Sequence, residues 1–166
     1  MIAPDVYPAP TFPPGLLGQA LGFRWMQWPW VDSDDLLAGG GSEGDDTQHV
    51  VVADRGILIA HATVLPREVS VAGERYAVGG LTRVSVFPGF RGRGHGAAVV
   101  AAVTRLIGER GFDAGMLSVD PEGAMERFYA RFGSEVASNG RTLAGDHAAP
   151  DAAEDDPNLT ALRMTT

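Results

Sequence analysis

The feature that most constrains the fold is the junction between a strand and a helix at residues 84–100, VSVFPGFRGRGHGAAVV. A β-branched run ends at a proline, and a run of small and apolar residues typical of a helix follows. Between them lie four glycines and two arginines, namely Gly89, Gly92, Gly94, Gly96, Arg91 and Arg93. Glycines let the backbone approach a ligand, and a helix start offers unpaired N–H groups to an anion. The junction therefore predicts an anion site, and a phosphate is the usual ligand.

Two common phosphate-binding motifs fit this junction poorly. A P-loop needs a Gly-Lys-Ser/Thr sequence, and the chain contains no lysine. A dinucleotide fold is a more serious rival, because Gly92, Gly94 and Ala97 match G-x-G-x-x-A and Asp120 closes the next strand. However, five residues separate the strand residue Val86 from Gly92, and only 46 residues follow Asp120. That remainder is too short for the further parallel β-α units of a dinucleotide fold.

The composition sets wider limits. A chain of 166 residues is long enough for one domain with its own core. It contains no cysteine, which excludes disulfides, thiolate metal sites and cysteine nucleophiles, and we expect no metal. No apolar run approaches membrane-spanning length, and the proline-rich N-terminus lacks the organisation of a signal peptide. We therefore expect a cytoplasmic protein that does not act on membranes.

The charges are distributed unevenly along the chain. Residues 1–46 carry seven acidic residues against one arginine, and residues 146–166 carry five against one. The middle, residues 47–145, carries nine acidic residues and eleven arginines. A slightly basic middle between acidic ends does not favour a nucleic-acid partner. It suits an anionic cofactor in the middle and a cationic substrate near the ends, although acidic loops can also serve solubility alone.

The first half of the chain predicts one helix followed by strands. Residues 1–14 look irregular or weakly extended, and the next stretch has a helical spacing that should end at Pro29. Its predicted apolar face comprises Leu17, Leu21, Trp25 and Trp28. Two strands meet at a hairpin turn over residues 54–56, and further strands, turning near residues 72–74, lead to the glycine-rich junction.

The second half predicts two helices and three short strands. The helix after the junction should end at Gly111 and bury Val99, Val100, Val103, Leu106 and Ile107. A strand over residues 114–119, a helix ending at Gly133, a strand after it and an acidic loop over 141–158 precede the last strand. The prediction is a single α+β domain over residues 1–166, with a mixed, mostly antiparallel sheet flanked by helices and one β-α-β crossover at 81–119.

The junction resembles the acyl-CoA motif of the GNAT superfamily of N-acetyltransferases. That motif is Arg/Gln-x-x-Gly-x-Gly/Ala, and residues 91–96 read Arg-Gly-Arg-Gly-His-Gly. The resemblance implies a GNAT-type fold and acetyl-CoA as cosubstrate. It implies binding through main-chain groups of the preceding strand and through the loop, with the residues Val84, Ser85, Val86, Arg91, Gly92, Arg93, Gly94, His95, Gly96 and Ala97.

A second segment, AMERFYARFG at 124–133, resembles the family's A-x-x-x-Φ-Tyr-x-x-x-Gly helix. The resemblance implies that Tyr129 lies near the CoA sulfur and protonates the departing thiolate. From the periodicity alone, Tyr129 would instead be a core residue. Residues 58–86 are similar to the strands of aminoglycoside 2′-N-acetyltransferases and enhanced-intracellular-survival acetyltransferases, and residues 128–133 are particularly similar to the latter.

The sequence does not identify the residue that acts as the general base. Many relatives place a glutamate where this chain has Thr82, which cannot remove a proton but can hold a water. Asp120 and Glu122 are alternatives that would act through water. His61 is better interpreted as a core histidine, and we expect the His95 side chain to point away from the loop. A chain without a base also fits a non-catalytic module that senses acyl-CoA.

The resemblance implies a primary amine as acceptor, and the acidic segments favour a cationic small molecule such as an aminoglycoside or a polyamine. The acidic residues expected to attract it lie in 31–46 and 146–158, and Trp25, Trp28 and Trp30 could supply an aromatic wall. We expect no nucleic-acid partner, and the resemblance allows a homodimer.

Overall fold

The computed structural model describes residues 2–27, 46–71, 73–119, 124–139 and 160–164. Within these ranges the chain forms three α-helices and seven strands. In chain order they are β1 (Asp5–Pro8), α1 (Pro14–Gln27), β2 (Gln48–Asp54), β3 (Ile57–Val71), β4 (Glu74–Val86), α2 (His95–Glu109), β5 (Ala114–Val119), α3 (Ala124–Ala130), β6 (Ser134–Asn139) and β7 (Thr160–Met164). Single turns of 3-10 helix occupy Ala9–Thr11 and Pro88–Phe90.

The strands are hydrogen-bonded in the order β1-β2-β3-β4-β5-β7-β6. The pairing of β4 with β5 is parallel, whereas β1–β2, β2–β3, β5–β7 and β6–β7 are antiparallel. The predicted α+β class with a mostly antiparallel sheet is confirmed. The predicted β-α-β crossover is also confirmed, because α2 joins the parallel strands β4 and β5.

By its contacts the chain divides into two compact units, and the first comprises Met1–Leu65 and Leu81–Val103. In this unit β2 and β3 form the predicted hairpin, whose turn residues Arg55 and Gly56 have φ angles of 49° and 80°. Both values lie in the left-handed region that a tight two-residue hairpin turn requires. A core cluster in this unit packs α1 and the residue Phe12 before it against the hairpin. Its buried members are Phe12, Leu16, Ala20, Phe23, Val51 and Leu58.

The N-terminal lead differs from its prediction, because it contains a strand. β1 pairs with β2 in antiparallel register from Asp5 opposite Val51 to Pro8 opposite Gln48. Pro4 before the strand and Pro8 at its end obscured it in the sequence, since proline lacks the N–H that a central strand needs. β1 is the first strand in the sheet order, and an edge strand tolerates proline.

The buried face of α1 also differs from its prediction. Leu16, Ala20 and Phe23 are buried, whereas Leu17 and Trp25 of the predicted face are exposed. Adjacent apolar residues make the helical spacing ambiguous, so either face fits the sequence pattern. Gln19 fixes the observed orientation, because its side-chain amide donates to the Gly56 carbonyl at 2.9 Å and accepts from the Leu58 N–H at 2.8 Å. Trp28 and Pro29 lie outside the described residues.

The second unit comprises Pro66–Gly80 and Thr104–Thr166. Here β4 lies beside β5, and a β-carbon at Gly79 would stand 2.9 Å from the Ile107 side chain. Glycine at this position therefore allows the end of α2 to pack closely on the strand. The Ala77 N–H donates to the Asp113 carboxylate at 2.8 Å, and the Asp113 N–H donates to the Ala77 carbonyl at the same distance.

The helix ends follow their predictions. Gly111 after α2 and Gly133 after α3 have φ angles of 71° and 79°, values that glycine adopts readily at a helix C-terminus. The predicted apolar face of α2 is confirmed, since all five of its residues are buried. None of the described helices is long and apolar enough to cross a membrane.

Two buried histidines lie inside the first unit. His49 Nδ1 and His61 Nε2 are 3.0 Å apart, and the ring of Phe12 stacks on His49 with centroids 4.1 Å apart. Burial lowers the pKa of His49 to about 4. Burial and the nearby charge of His49 lower the pKa of His61 to about 3. Both rings are therefore neutral at neutral pH, and His61 is the core histidine that we predicted.

This pair should make the protein sensitive to mild acid. The unfolded histidines take up protons below about pH 6.5, whereas the folded pair stays neutral until the pH approaches 4, so stability falls across that window. We expect the free energy of unfolding to decrease by roughly 2 kcal/mol per histidine between about pH 7 and about pH 5. Urea unfolding of the wild type, His61→Gln and His95→Gln checks this. We expect the free energy of unfolding of His61→Gln to depend on pH less steeply than that of the wild type or of His95→Gln. If all three proteins show the same steepness, the buried histidine pair is not the cause of the pH dependence.

Candidate functional site

The strand that leads into the glycine-rich junction has an irregular backbone at Arg83. Arg83 has a φ angle of 56°, which a residue with a side chain rarely adopts inside a strand. The Ser85 hydroxyl donates to the Arg83 carbonyl at 3.3 Å. The recorded register of β4 with β5 ends at Gly80, and β4 continues to Val86. Beyond Arg83, the Phe87 N–H donates to the Ile59 carbonyl of β3 at 2.9 Å.

The loop after β4 is shaped by two short hydrogen bonds and two glycines. The Phe90 N–H donates to the Phe87 carbonyl at 2.9 Å, and the Arg91 N–H donates to the Pro88 carbonyl at 3.2 Å. Gly92 and Gly94 then have φ angles of 73° and 84°. These are the two positions of the loop where a β-carbon would strain the backbone, so glycine is required there by conformation.

The first turn of α2 presents unused hydrogen-bond donors. The first recorded hydrogen bond of the helix joins the Ala98 N–H to the Gly94 carbonyl at 3.0 Å. Before it lie the N–H groups of His95, Gly96 and Ala97, and within the described part of the chain none of the three donates a hydrogen bond. The first turn of α2 contains no acidic residue. Three N–H groups and the positive end of the helix dipole therefore lie at one place, an arrangement that favours an anion.

The two loop arginines have different surroundings. Arg91 is exposed, and its Nε donates to the Val86 carbonyl at 3.1 Å, which ties the loop to the end of β4. This bracing contact was not predicted, because nothing in the sequence pairs a side chain with a particular main-chain carbonyl. Arg93 lies over the Phe90 ring at 5.6 Å from its centroid. Both guanidinium groups add positive charge beside the helix start.

His95 lies at the start of α2, and its ring is half-buried. It meets the Phe90 ring edge-on with centroids 6.3 Å apart. Its Nδ1 is buried and has no hydrogen-bond partner among the described residues. The expectation that this side chain points away from the loop is therefore not supported, since the ring packs on a residue of the loop's own 3-10 turn.

Tyr129 lies on α3 in the second unit, and 4% of its surface is exposed. Its ring meets Phe128 edge-on with centroids 5.1 Å apart. Burial raises the pKa of the Tyr129 phenol to about 12. The phenol is therefore protonated at physiological pH and able to donate a hydrogen bond. The apolar residues of α3 are not all buried, because Met125 is exposed.

Of the residues considered for the general base on β4 and after β5, the structure describes only Thr82. Thr82 is half-buried on β4. Asp120 and Glu122 lie outside the described residues, as do the acidic residues of 31–45 and 146–158. Within the described ranges, no group of three or more His, Asp or Glu side chains is placed to hold a metal ion.

Comparison with known proteins agrees with this geometry. The model of a family described as an acetyltransferase (GNAT) domain matches residues 40–137. No curated protein matches the chain.

Several solved structures share the fold. An Enterococcus faecalis protein described as a probable N-acyltransferase matches with a TM-score of 0.64 at 16% identity, over 80% of this chain and 32% of its own. AAC(6')-Iy, solved in complex with the bisubstrate analogue CoA-S-monomethyl-acetylneamine, matches with a TM-score of 0.69 at 23% identity, over 86% of this chain and 97% of its own. Eis1 from Mycobacterium abscessus matches with a TM-score of 0.59 at 21% identity, over 84% of this chain and 32% of its own. The present chain thus spans about a third of the length of the Enterococcus faecalis protein and about a third of the length of Eis1.

Proposed function

Because the chain belongs to the GNAT acetyltransferase family, we propose that it transfers the acetyl group of acetyl-CoA to a primary amine of a small molecule. The observation that carries this proposal is the geometry of the glycine-rich junction. Gly92 and Gly94 lie in the left-handed region, and three N–H groups at the start of α2 are unused within the described residues. Such a surface fits a pyrophosphate group, which needs several convergent donors and no obstructing β-carbon.

In this proposal the end of β4 and the loop after it hold the cosubstrate. Main-chain groups of Val84, Ser85 and Val86 bind the pantetheine arm, and the loop residues 91–97 bind the phosphates. Because Arg91 Nε already binds the Val86 carbonyl, that side chain meets a phosphate with its terminal nitrogens. Arg93 adds charge from above Phe90 and is placed for a second phosphate group.

We assign Tyr129 the role of stabilising the CoA thiolate that leaves the acetyl group. A pKa of about 12 keeps the phenol protonated, whereas a thiol has a pKa of about 8.5. Complete proton transfer from the phenol is then unfavourable, so a donated hydrogen bond is the larger contribution. This differs from the sequence-based expectation, in which the phenol gives up its proton.

The acceptor we propose is cationic, and the amine must be neutral when it attacks. The acidic residues that would attract a cation belong to 31–46 and 146–158, of which only Asp46 is described. Their charge supports the proposal through long-range attraction, which salt screens. Trp25, which is exposed on α1, borders a cavity of about 400 Å³ lined mostly by apolar residues of α1 and the hairpin, together with Gln19 and Phe87.

The experiment is acetyl transfer from isotope-labelled acetyl-CoA to a panel of amines at low and high salt. We expect transfer to primary amines, with kcat/KM higher for polycationic than for neutral acceptors and a preference that declines with salt. The matched variant carries asparagine at Asp34, Asp35, Asp155 and Asp156, and it should lose most of that preference. Acetyl-CoA binding without transfer to any amine would instead support a non-catalytic acyl-CoA sensor.

A further inference from the structure

Four exposed apolar side chains of the first unit line one cavity. It has a volume of about 400 Å³ and lies between the second half of α1, the start of β3 and the residue that follows β4. The four are Trp25, Met26, Ile57 and Phe87, and each is between 41% and 59% exposed. Apolar surface left in water is unfavourable, and a contiguous patch of it commonly marks a binding site.

The walls of this cavity offer little to a polar or charged ligand. None of the described residues that line it is charged, and Gln19 is the most polar of them. Both hydrogens of the Gln19 amide are used, since Nε2 donates to the Gly15 carbonyl at 2.8 Å and to the Gly56 carbonyl at 2.9 Å. Its Oε1 accepts from the Leu58 N–H at 2.8 Å. Apolar contact is therefore the main interaction that a ligand can make in this cavity.

Phe87 connects the cavity with the place assigned to the cosubstrate. It follows Val86, the last strand residue assigned to the pantetheine arm, and its carbonyl accepts from the Phe90 N–H of the loop at 2.9 Å. Its ring contacts two others, with centroids 5.7 Å from that of Phe23 and 6.2 Å from that of Phe90. A group bound against Phe87 therefore lies next to the strand end where we place the pantetheine arm.

We propose that the cavity binds an apolar group of the acceptor, a single ring or a short branched alkyl chain, that is attached to the reacting primary amine. The inference rests on the proposed function and narrows its substrate class. An apolar cavity of roughly 150 Å³ binds benzene, so a cavity of about 400 Å³ has room for one ring and the carbon atoms that join it to the amine. The acetyl group of the cosubstrate is much smaller than this volume.

Such a site also favours the form of the amine that reacts. The attacking amine must be neutral, and Thr82, which stands where many relatives have a glutamate, cannot take up its proton. An amine whose carbon skeleton lies against apolar walls loses part of its hydration, and desolvation favours the uncharged form. The cavity would therefore assist deprotonation, with the proton passing to solvent, without a base in contact with the nitrogen.

The first test measures binding of an apolar amine without any acetyl transfer. The chain has five methionines, so isotope-labelled methionine methyl groups give few NMR signals, and Met26→Leu and Met125→Leu identify two of them by their loss. Cyclohexylethylamine and ethylamine are titrated separately against the wild type. We expect the Met26 signal to shift and saturate with cyclohexylethylamine, with a Kd on the order of 1 mM, and not with ethylamine. The signal of Met125, a similarly exposed methionine on α3, should not move with either amine.

The second test measures acetyl transfer to the same two alkylamines, which have the same charge and differ in apolar size. Wild-type kcat/KM should be about tenfold or more higher for cyclohexylethylamine, because its ring leaves water on binding. Met26→Gln and Ile57→Gln place an amide on the cavity wall and should remove most of that preference. Leu17→Gln, which changes an exposed residue of α1 that does not line the cavity, should retain it.

A longer acyl group tests the other possible occupant of the cavity. With ethylamine as the acceptor, butyryl-CoA should give a kcat/KM no higher than that of acetyl-CoA. A higher value with butyryl-CoA that Met26→Gln abolishes would assign the cavity to the acyl chain and overturn the proposal.

The tests separate this inference from the proposed function. Saturable binding of cyclohexylethylamine at Met26 without acetyl transfer to any amine would contradict the proposed function and support the cavity as a site for apolar amines. Acetyl transfer with equal kcat/KM for the two amines would overturn the inference alone, whether or not the Met26 signal moves. The binding test uses the wild type, so its result does not depend on whether the glutamine variants fold.

Discussion

Replacing Gly94 with glutamate is expected to lower the affinity for acetyl-CoA by about a hundredfold or more, or roughly 2.7 kcal/mol. Gly94 has a φ angle of 84° and accepts the first hydrogen bond of α2. Glutamate would place a β-carbon and a negative charge where we assign the pyrophosphate. Calorimetric titration measures the loss, and the circular dichroism spectrum shows whether the fold is retained.

Gly111→Glu is the matched control for this prediction. Gly111 is exposed, has a φ angle of 71°, and has nothing within 4 Å of where a β-carbon would stand. The control therefore adds the same charge and a similar backbone strain at the other end of α2. It should bind acetyl-CoA as the wild type does, and Gly94→Ala should give an intermediate loss because it adds strain without charge. Unchanged affinity in a folded Gly94→Glu variant would refute the assigned phosphate site.

Tyr129→Phe is expected to lower kcat by about a hundredfold with little change in the KM for acetyl-CoA, because the hydrogen bond to sulfur matters mainly when negative charge develops. The substitution removes one oxygen from a buried ring that packs on Phe128, so packing is largely retained. Steady-state kinetics with a fixed amine acceptor measure both parameters. The raised pKa further predicts that activity does not decline near pH 10 through ionisation of this phenol.

Tyr76→Phe provides the comparison for that variant. Tyr76 lies exposed on β4, so loss of its hydroxyl should leave kcat within the error of the wild type. If Tyr129→Phe also stays within about threefold of wild type, Tyr129 is a packing residue and the thiolate is stabilised by water. A large rise in KM at constant kcat would instead indicate that the phenol contributes to binding the ground state.

Patterns confined to a short stretch of sequence predicted the structure well. The glycine-rich junction, the buried face of α2 and the helix-ending glycines each depend on local backbone conformation and a regular apolar period. They were found because their residues are neighbours along the chain. The strand-to-helix geometry around Gly92 and Gly94 is the clearest example, since glycine is the residue that adopts their positive φ angles without strain.

Features that depend on distant contacts were missed or misassigned. The face of α1 depends on Gln19 reaching the hairpin, and β1 depends on its pairing with β2 at the edge of the sheet. The buried Arg24 nitrogen and the burial that lowers the pKa of Arg83 likewise depend on contacts between elements that are distant in the sequence. Neither arginine belongs to a recognisable motif, so no local pattern predicts its burial.

The central claim is that the glycine-rich junction binds acyl-CoA, and the most direct measurement is calorimetric titration of the wild-type protein with acetyl-CoA and, separately, with NAD. The account predicts one acetyl-CoA site with a Kd on the order of micromolar and no binding of NAD in that range. Micromolar binding of NAD without binding of acetyl-CoA would contradict the account and would restore the dinucleotide interpretation of the same glycines.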